Sequence, residues 1–369
     1  MQINLILIPF VIILGLLFAL KDNRKTRGQY ILFCSAVLLF IAAMRSPEWF
    51  TLTYHIDTLN YKYAFERVHD MGWDELWMSV YQRYFMNTEE TDIGFRILNK
   101  IIASVTEEFH IYSLIADLLF FVPFGIILYR YCMSMRQIIF AFVFYIALVQ
   151  VFLLSGGRQI FALGFDMIAL LLMIDGKKIF SLITFIFGIS LHFSSILFLI
   201  PLLLIWFDLK PLTLKTVHLL CFILFPIVLS FPNEVIDYMG NVIGMEKYAN
   251  YGHGTIQGGA ATFLILIEVL SLFCFIAVRK RNLFSNEALR FFYVMAPLFT
   301  LFAPLIRSNG TMIRISLYFH LYLAILVPFS IDCMFKKKEQ SFAYFFAIGI
   351  LAFLSMLNGG MVYYFYWQF

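Results

Sequence analysis

Twelve strongly apolar runs divide this chain of 369 residues. A helix needs about 20 apolar residues to cross roughly 30 Å of hydrocarbon, and most of the runs approach that length. Because 62% of the residues are hydrophobic and only 14% are charged, a soluble protein could not bury so much apolar surface. The sequence therefore predicts an all-α integral membrane protein with about 12 transmembrane helices, near residues 3–20, 29–44, 111–129, 137–154, 158–174, 179–191, 195–207, 216–231, 261–278, 291–306, 313–333 and 341–357.

The basic residues favour one orientation of these helices. Of the 27 lysines and arginines, 17 fall in six short connections, at 21–28, 130–136, 175–178, 208–215, 279–290 and 334–340. Cytoplasmic loops carry such an excess of positive charge. We therefore expect a single polytopic domain over 1–369, with a retained first helix and both chain ends outside. A long, partly helical external loop at 45–110 and a second external loop at 232–260 belong to it.

One apolar stretch, residues 179–207, is too long for one upright helix and short for two. The distribution of basic residues holds only if this stretch crosses twice, so we expect two short helices, 179–191 and 195–207. Each rises only about 20 Å at 1.5 Å per residue, which leaves their junction, "HFSS", inside the membrane. Broken backbone at that depth is tolerated where it is packed in protein or lines a wet cavity, so we predict an outward-facing pocket there.

Two arginines stand where helices are predicted to begin at the outer surface. Arg158, in "SGGRQ", lies at a helix end with unpaired N–H groups and a positive dipole, and Gln159 adds a further donor. Arg314 begins an inward-running helix in the same way, with Arg307 nearby. Such sites suit phosphate groups, and two arginines could hold a pyrophosphate. The alternative is that these arginines extend to lipid headgroups.

Further polar residues lie near the same surface. His192 falls in the "HFSS" junction, where an ionisable group is costly and usually functional, although it could equally be a helix-end histidine bonded to a carbonyl. Asp57 and Tyr61 lie four residues apart and would share a helix face. Arg45 stands just outside the second span, and Tyr318 follows Arg314 by one turn.

Charged residues inside predicted spans and absent motifs narrow the chemistry. Asp117, Asp166 and Glu268 fall within spans, so each should be paired with a neighbour or functional. The sequence contains no Walker A loop, no D-x-D pair and no Cys/His metal spacing. We therefore expect neither metal nor cofactor, no nucleic-acid partner, and, for an enzyme, a substrate that arrives already activated.

Five short motifs follow one another in order: R…D-T-x-x-Y-x-x-x-F (Arg45, Asp57, Thr58, Tyr61, Phe65), D-x-G-F-x-x-L-N (92–99), G-R-Q-x-x-A (157–162), L-H-F-S (191–194) and R-x-x-x-Y-F (314–319). In this order and topology the chain resembles the EpsG family of Wzy-like polysaccharide polymerases over most of its length. One departure is the pair Asp92-Ile93, where glutamate followed by proline would be expected.

This resemblance implies glycosyl transfer at the periplasmic or exterior face of the bacterial cytoplasmic (inner) membrane. A growing O-antigen, capsule or exopolysaccharide glycan would pass from undecaprenyl pyrophosphate to a lipid-linked repeat unit. Membrane lipid is an expected partner, and a chain-length-determinant protein is a further candidate. Asp57 or His192 would accept the proton of the attacking hydroxyl, and Arg158 would stabilise the leaving group. The expected substrate- and pyrophosphate-binding residues are Arg158, Gln159, Arg314, Arg45, Arg307, Tyr61 and Tyr318.

Three other functions stay open at this level. An O-antigen ligase uses the same donor with a different acceptor. A polytopic acyltransferase would need a cytoplasmic route for its acyl donor, and the inner connections are short. A flippase or transporter of lipid-linked oligosaccharide would favour charges lining a route through both leaflets, whereas the conspicuous groups here cluster on one predicted side.

Overall fold

A computed structural model describes residues 2–48, 57–86, 92–155, 157–243, 258–280, 287–357 and 362–368. Within these ranges the regular structure is helical, and pairing between extended segments is limited to two isolated bridges. The helices are α1 (Ile3–Ala19), α2 (Arg24–Ala43), α3 (Thr58–Asp70), α4 (Trp73–Met86), α5 (Ile93–Ala103), α6 (Phe109–Tyr131), α7 (Met135–Ser155), α8 (Gly157–Ile174), α9 (Lys178–Leu191), α10 (Phe193–Trp206), α11 (Pro211–Ser230), α12 (Pro232–Ile243), α13 (Gly258–Lys280), α14 (Leu289–Arg307), α15 (Ile313–His320), α16 (Leu323–Met334) and α17 (Lys337–Leu357).

The predicted all-α integral membrane protein is confirmed. In the described part of the chain, eight helices are long and apolar enough to cross a bilayer, or nine if α15 and α16, bent by 47°, form one broken span. The helices α1, α9 and α10 are apolar but shorter. Each of the 12 predicted spans falls on one of these helices, and eight or nine meet the length that a full crossing requires.

The predicted junction in the 179–207 stretch is a true break in the helix. Helix α9 ends at Leu191, and His192 adopts an extended conformation with φ −153° and ψ 111°. A 3-10 turn over Phe193–Phe198 then opens α10. The buried Ser195 hydroxyl donates to both carboxylate oxygens of Asp166 on α8, at 2.7 and 2.8 Å. Asp166 on the neighbouring helix α8 therefore stabilises the break. Broken backbone within an apolar bundle requires such packing against protein.

The bundle places α8 at its centre and a helical cap at one end. Helix α8 packs against α6 on one side and α9 on the other, while α3 packs on α5 in the cap. Tyr61 and Phe65 of α3 lie four residues apart on one helix face, and both are buried. The loop predicted at 45–110 is partly helical, containing α3, α4 and α5. The loop predicted at 232–260 begins with α12, and residues 244–257 lie outside the described ranges.

The C-terminal segment 362–368 folds back over the C-terminal end of α2, which the sequence did not predict. The Ser46 amide donates to the Tyr364 carbonyl, and the Tyr366 amide donates to the Met44 carbonyl, both at 3.0 Å. The Tyr366 ring stacks on His110 at the start of α6, with ring centroids 4.9 Å apart and planes at 8°. This segment therefore joins α2 to α6 beside the cap.

Candidate active site

The five motifs, which span more than 250 positions of sequence, meet at the end of the bundle that carries the cap. Arg158 lies in the first turn of α8, and His192 occupies the break between α9 and α10. Asp92 directly precedes α5, Asp57 directly precedes α3, and Arg314 lies in the first turn of α15. Each charged residue therefore stands at the end of a helix, where backbone N–H groups or carbonyls are also available.

Asp92 is the centre of this cluster. Its Oδ2 accepts a 2.6 Å hydrogen bond from Arg158 Nη1, and its Oδ1 accepts a 3.0 Å bond from the Phe193 amide at the helix break. His192 Nδ1 lies 3.7 Å from Oδ2, at ion-pair rather than hydrogen-bond distance. The Asp92 side chain is only 4% exposed, so this carboxylate ties α5, α8 and the α9–α10 break together.

The backbone and the protonation state of Asp92 fit this role. Its φ of 72° and ψ of 52° lie in the left-handed region, which aspartate tolerates better than most residues. Burial raises the pKa of Asp92. His192, the charge of Arg158 and the Phe193 amide together lower it by more than burial raises it, so the pKa lies below its ordinary value. Asp92 therefore stays ionised at neutral pH and keeps the Arg158 guanidinium oriented.

A second ion pair stands beside the first. Arg314 Nη2 lies 3.1 Å from Asp57 Oδ2, and the Gln159 side-chain amide donates to the Arg314 carbonyl at 2.6 Å. The Asp57 side chain is 42% exposed and Arg314 is 20% exposed, so this pair borders solvent. Both Arg158 and Arg314 interact electrostatically with His192. The cluster thus holds two cations, two carboxylates and one imidazole.

Two glycines permit the close packing around Arg158. A Cβ at Gly157 would lie 2.9 Å from the Tyr61 ring, and a Cβ at Gly94 would lie 2.1 Å from the Ser190 hydroxyl. The Arg158 guanidinium stands 5.9 Å from the centres of both the Tyr61 and the Phe95 rings. These contacts set α3 and α5 against the start of α8, and the rings face a cation at a favourable distance.

The structure brings together most of the residues expected from the sequence. Asp57, Arg158, Gln159, His192 and Arg314 form the cluster described above, and Tyr61 packs beside it.

The three remaining expected residues lie elsewhere or in supporting positions. Tyr318 is fully buried, and its hydroxyl lies 3.1 Å from that of Ser194, so it joins α15 to the helix break. Arg45 is paired with Asp117 at 3.2 Å and lies at the end of α2. Arg307 is exposed at the end of α14 and makes no contact with the cluster among the described residues.

The three acidic residues inside predicted spans have different surroundings. Asp117 pairs with Arg45, and Asp166 accepts from Ser195. Neither carboxylate oxygen of Glu268 accepts a hydrogen bond in the described part of the chain, although Thr300 lies beside it. Two of these three carboxylates therefore have a partner, as expected for ionisable groups inside membrane spans.

Comparison with protein families gives one result. A family model described as "EpsG family" matches residues 31–366, nearly the whole chain. The chain belongs to the EpsG family. This is a family of Wzy-like polymerases, so membership indicates a polysaccharide polymerase-type, glycosyltransferase-like function in a multi-pass membrane protein. Searches of curated proteins and of solved structures return no match.

Asp92 is the site residue that sequence reasoning did not single out among the candidates. In this EpsG family member the pair Asp92-Ile93 stands where the resemblance predicts glutamate followed by proline, and the shorter carboxylate argued against a catalytic role. A signal was present, because Asp92 directly precedes an amphipathic helix in the same predicted loop, 45–110, as Asp57. Its partners, Arg158 and the Phe193 amide, lie 66 and 101 positions away, which no local pattern reveals.

Proposed function

We propose that the protein is a polysaccharide polymerase of O-antigen, capsule or exopolysaccharide synthesis. It transfers a growing glycan from undecaprenyl pyrophosphate to a lipid-linked repeat unit at the exterior face of the bacterial cytoplasmic membrane. The observation that carries this proposal is the meeting of the five family motifs in one charged cluster at a helix break. Membership of the EpsG family supports the reaction class.

The reaction needs a stabilised leaving group and a base. A hydroxyl oxygen of the acceptor attacks the anomeric carbon of the donor sugar, the bond from that carbon to the pyrophosphate oxygen breaks, and the hydroxyl proton passes to a base. Arg158 and Arg314 are the two cations of the cluster, and their positive charges would neutralise the departing pyrophosphate. Each ion pair also holds its guanidinium in a fixed orientation before the substrate arrives.

Two residues are candidates for the base. Asp57 is partly exposed and has one ion-pair partner, so its carboxylate can be reached by an acceptor hydroxyl. His192 lies beside Asp92 and between the two arginines, where its imidazole can be oriented by the carboxylate. Asp92 itself is nearly inaccessible and has both oxygens occupied, so we assign it a positioning role.

The test replaces Arg158 by lysine in the full chain and examines chain length in cells that lack the native gene. Alanine would leave the buried Asp92 carboxylate unpaired, whereas lysine keeps the charge and removes the forked donor. Loss of a charge-assisted hydrogen bond to phosphate costs about 1.5–3 kcal/mol, roughly a tenfold to hundredfold loss of rate. We expect the ladder of long glycans to collapse to single repeat units on the final acceptor.

Arg67→Lys, an exposed arginine on α3, serves as the matched control and should keep the full ladder. Long glycans from the Arg158→Lys variant would contradict the proposal. A ligase would lose all glycan from the final acceptor when inactivated. A flippase would leave repeat units on the inner leaflet, so both alternatives have their own signatures.

A further inference from the structure

A polar cavity of about 440 Å³ lies beside the cap, on a different face of α3 from the charged cluster. Its size falls within the range of small-molecule binding pockets. Lys62 and Glu66, one helical turn apart on α3, line one wall. The neighbouring face of the same helix carries Tyr61, which packs beside Arg158. The cavity and the candidate active site therefore lie on neighbouring faces of the same helix.

The most buried charged residue of the cavity lining, Arg45, is already paired within the bundle. Arg45 is 5% exposed and lines the cavity. Its Nη1 group donates to the Asp117 carboxylate and to the Ala42 carbonyl. Its Nε–H makes no hydrogen bond among the described residues. The Nε atom is itself buried, so it does not donate into the cavity, and Arg45 forms part of the wall through its ion pair with Asp117.

The remaining polar groups of the lining are mostly hydrogen-bond acceptors. Four glutamates surround the space: Glu48, Glu66, Glu107 and Glu108. The lysine and the arginine of the lining are already matched, since Lys62 pairs with Glu48 at 2.7 Å and Arg45 pairs with Asp117 at 3.2 Å. A phosphate would meet this excess of carboxylates and be repelled. A neutral ligand with many hydroxyl groups would instead find acceptors for its O–H groups.

Aromatic rings complete the wall. The C-terminal segment brings Tyr366 into the cavity, where its ring is 41% exposed and stacks in parallel on His110. Phe109 lines the same space. Flat apolar ring surfaces beside carboxylate acceptors match the two kinds of surface that a sugar presents, its C–H faces and its hydroxyl edges.

We infer that this cavity is a glycan-binding subsite for neutral sugar residues, distinct from the arginine cluster that faces the pyrophosphate. The inference rests on the proposed function, because it gives the sugars and the pyrophosphate of one lipid-linked substrate separate places on neighbouring faces of α3. Acidic walls exclude the phosphate groups from the cavity, and the two arginines attract them to the cluster. The charge pattern thereby sets which end of the substrate enters which site.

The test measures binding of a defined probe to the full chain in nanodiscs. The probe is the neutral oligosaccharide that mild acid releases from the lipid-linked repeat units of the same organism, and binding is measured by isothermal titration calorimetry. Glu66→Gln removes a charged acceptor at an exposed position and should weaken binding about tenfold. Tyr366→Ala removes the ring and should weaken it about fivefold.

Matched controls separate the cavity from general effects. Glu75→Gln and Tyr63→Ala change exposed residues of the same types outside the cavity and should bind the probe as the wild type does. In transfer assays the two cavity variants should raise KM and leave kcat nearly unchanged. Wild-type affinity in both Glu66→Gln and Tyr366→Ala, or no binding of the probe to the wild type, would overturn the inference.

The Arg158→Lys variant distinguishes failure of this inference from failure of the proposed function. It should bind the probe normally while chain extension is lost, because it alters only the arginine cluster. Unchanged chain extension in Arg158→Lys would refute the proposed mechanism, and an equally weakened probe affinity in that variant would refute the separation of the two sites.

Discussion

Asp92→Asn tests how the candidate site is held together. Asparagine has nearly the same shape and tolerates the left-handed conformation of residue 92, so the substitution leaves the backbone in place. It replaces one carboxylate oxygen by an NH2 group. Both oxygens are in use, one by Arg158 at 2.6 Å and one by the Phe193 amide at 3.0 Å. One of the two bonds is therefore lost whichever way the amide turns.

The expected cost is about 2 kcal/mol in the free energy of unfolding, the usual value for a hydrogen bond to a charged group. Unfolding by SDS titration in mixed micelles measures it, and Asp74→Asn, an exposed aspartate on α4, is the control. A double-mutant cycle with Arg158→Gln should give a coupling energy of about 1.5 kcal/mol or more between the two side chains.

The pH dependence follows from the lowered pKa of Asp92. A carboxyl whose folded pKa lies below its ordinary value of 3.8 contributes stability that is fully present above that value and is lost as the pH falls through the folded pKa. The difference in unfolding free energy between wild type and Asp92→Asn should therefore be constant from about pH 5 to pH 8 and shrink below about pH 4. Equal stability and equal chain lengths in the two proteins at neutral pH would refute the positioning role.

Three further substitutions test the surrounding structure. Gly94→Ala should destabilise the protein by about 1–3 kcal/mol through overpacking, whereas Gly72→Ala, which faces open space, should have little effect in the same SDS titration. Arg45→Met should cost about 3–5 kcal/mol by leaving buried Asp117 unpaired, and adding Asp117→Leu should restore most of that stability. Tyr63→Cys, at an exposed cap position, should react with an impermeant thiol reagent added from outside the cell, and labelling only from inside would reverse the proposed orientation.

The sequence predicted the membrane fold and the helix break because both depend on local properties. Apolar runs mark helices wherever lipid is the solvent, and the two short segments around His192 left too few residues for upright crossings. The sequence also predicted that Arg158 and Arg314 stand at helix starts, since each begins an apolar run.

What the sequence did not predict depends on contacts between distant segments. Neither arginine stands alone, because Asp92 reaches Arg158 and Asp57 reaches Arg314, the latter across 257 positions. The C-terminal segment carries no apolar periodicity that would place Tyr366 on His110. Arg45, grouped by its position with the other outer arginines, is instead fixed by Asp117 and lines a separate cavity.

The ion pair between Arg314 and Asp57 would couple proton transfer to stabilisation of the leaving group. If Asp57 takes the proton of the attacking hydroxyl, its negative charge disappears while charge develops on the departing pyrophosphate. Arg314 then loses its attraction to Asp57 and becomes fully available to the leaving group. The interaction of Arg314 with the pyrophosphate is then stronger in the transition state than in the bound substrate. This is the condition for raising kcat rather than only lowering KM.

Asp57→Asn separates this mechanism from one in which His192 is the base. With Asp57 as base, the substitution removes the proton acceptor and releases Arg314 from the start, so kcat should fall about a hundredfold or more while KM falls or stays unchanged. With His192 as base, kcat should change little, because His192, Asp92 and Arg158 are untouched. Transfer rates over a range of concentrations of purified lipid-linked repeat units decide between the two, and a raised KM with unchanged kcat would show that Asp57 only helps to bind the substrate.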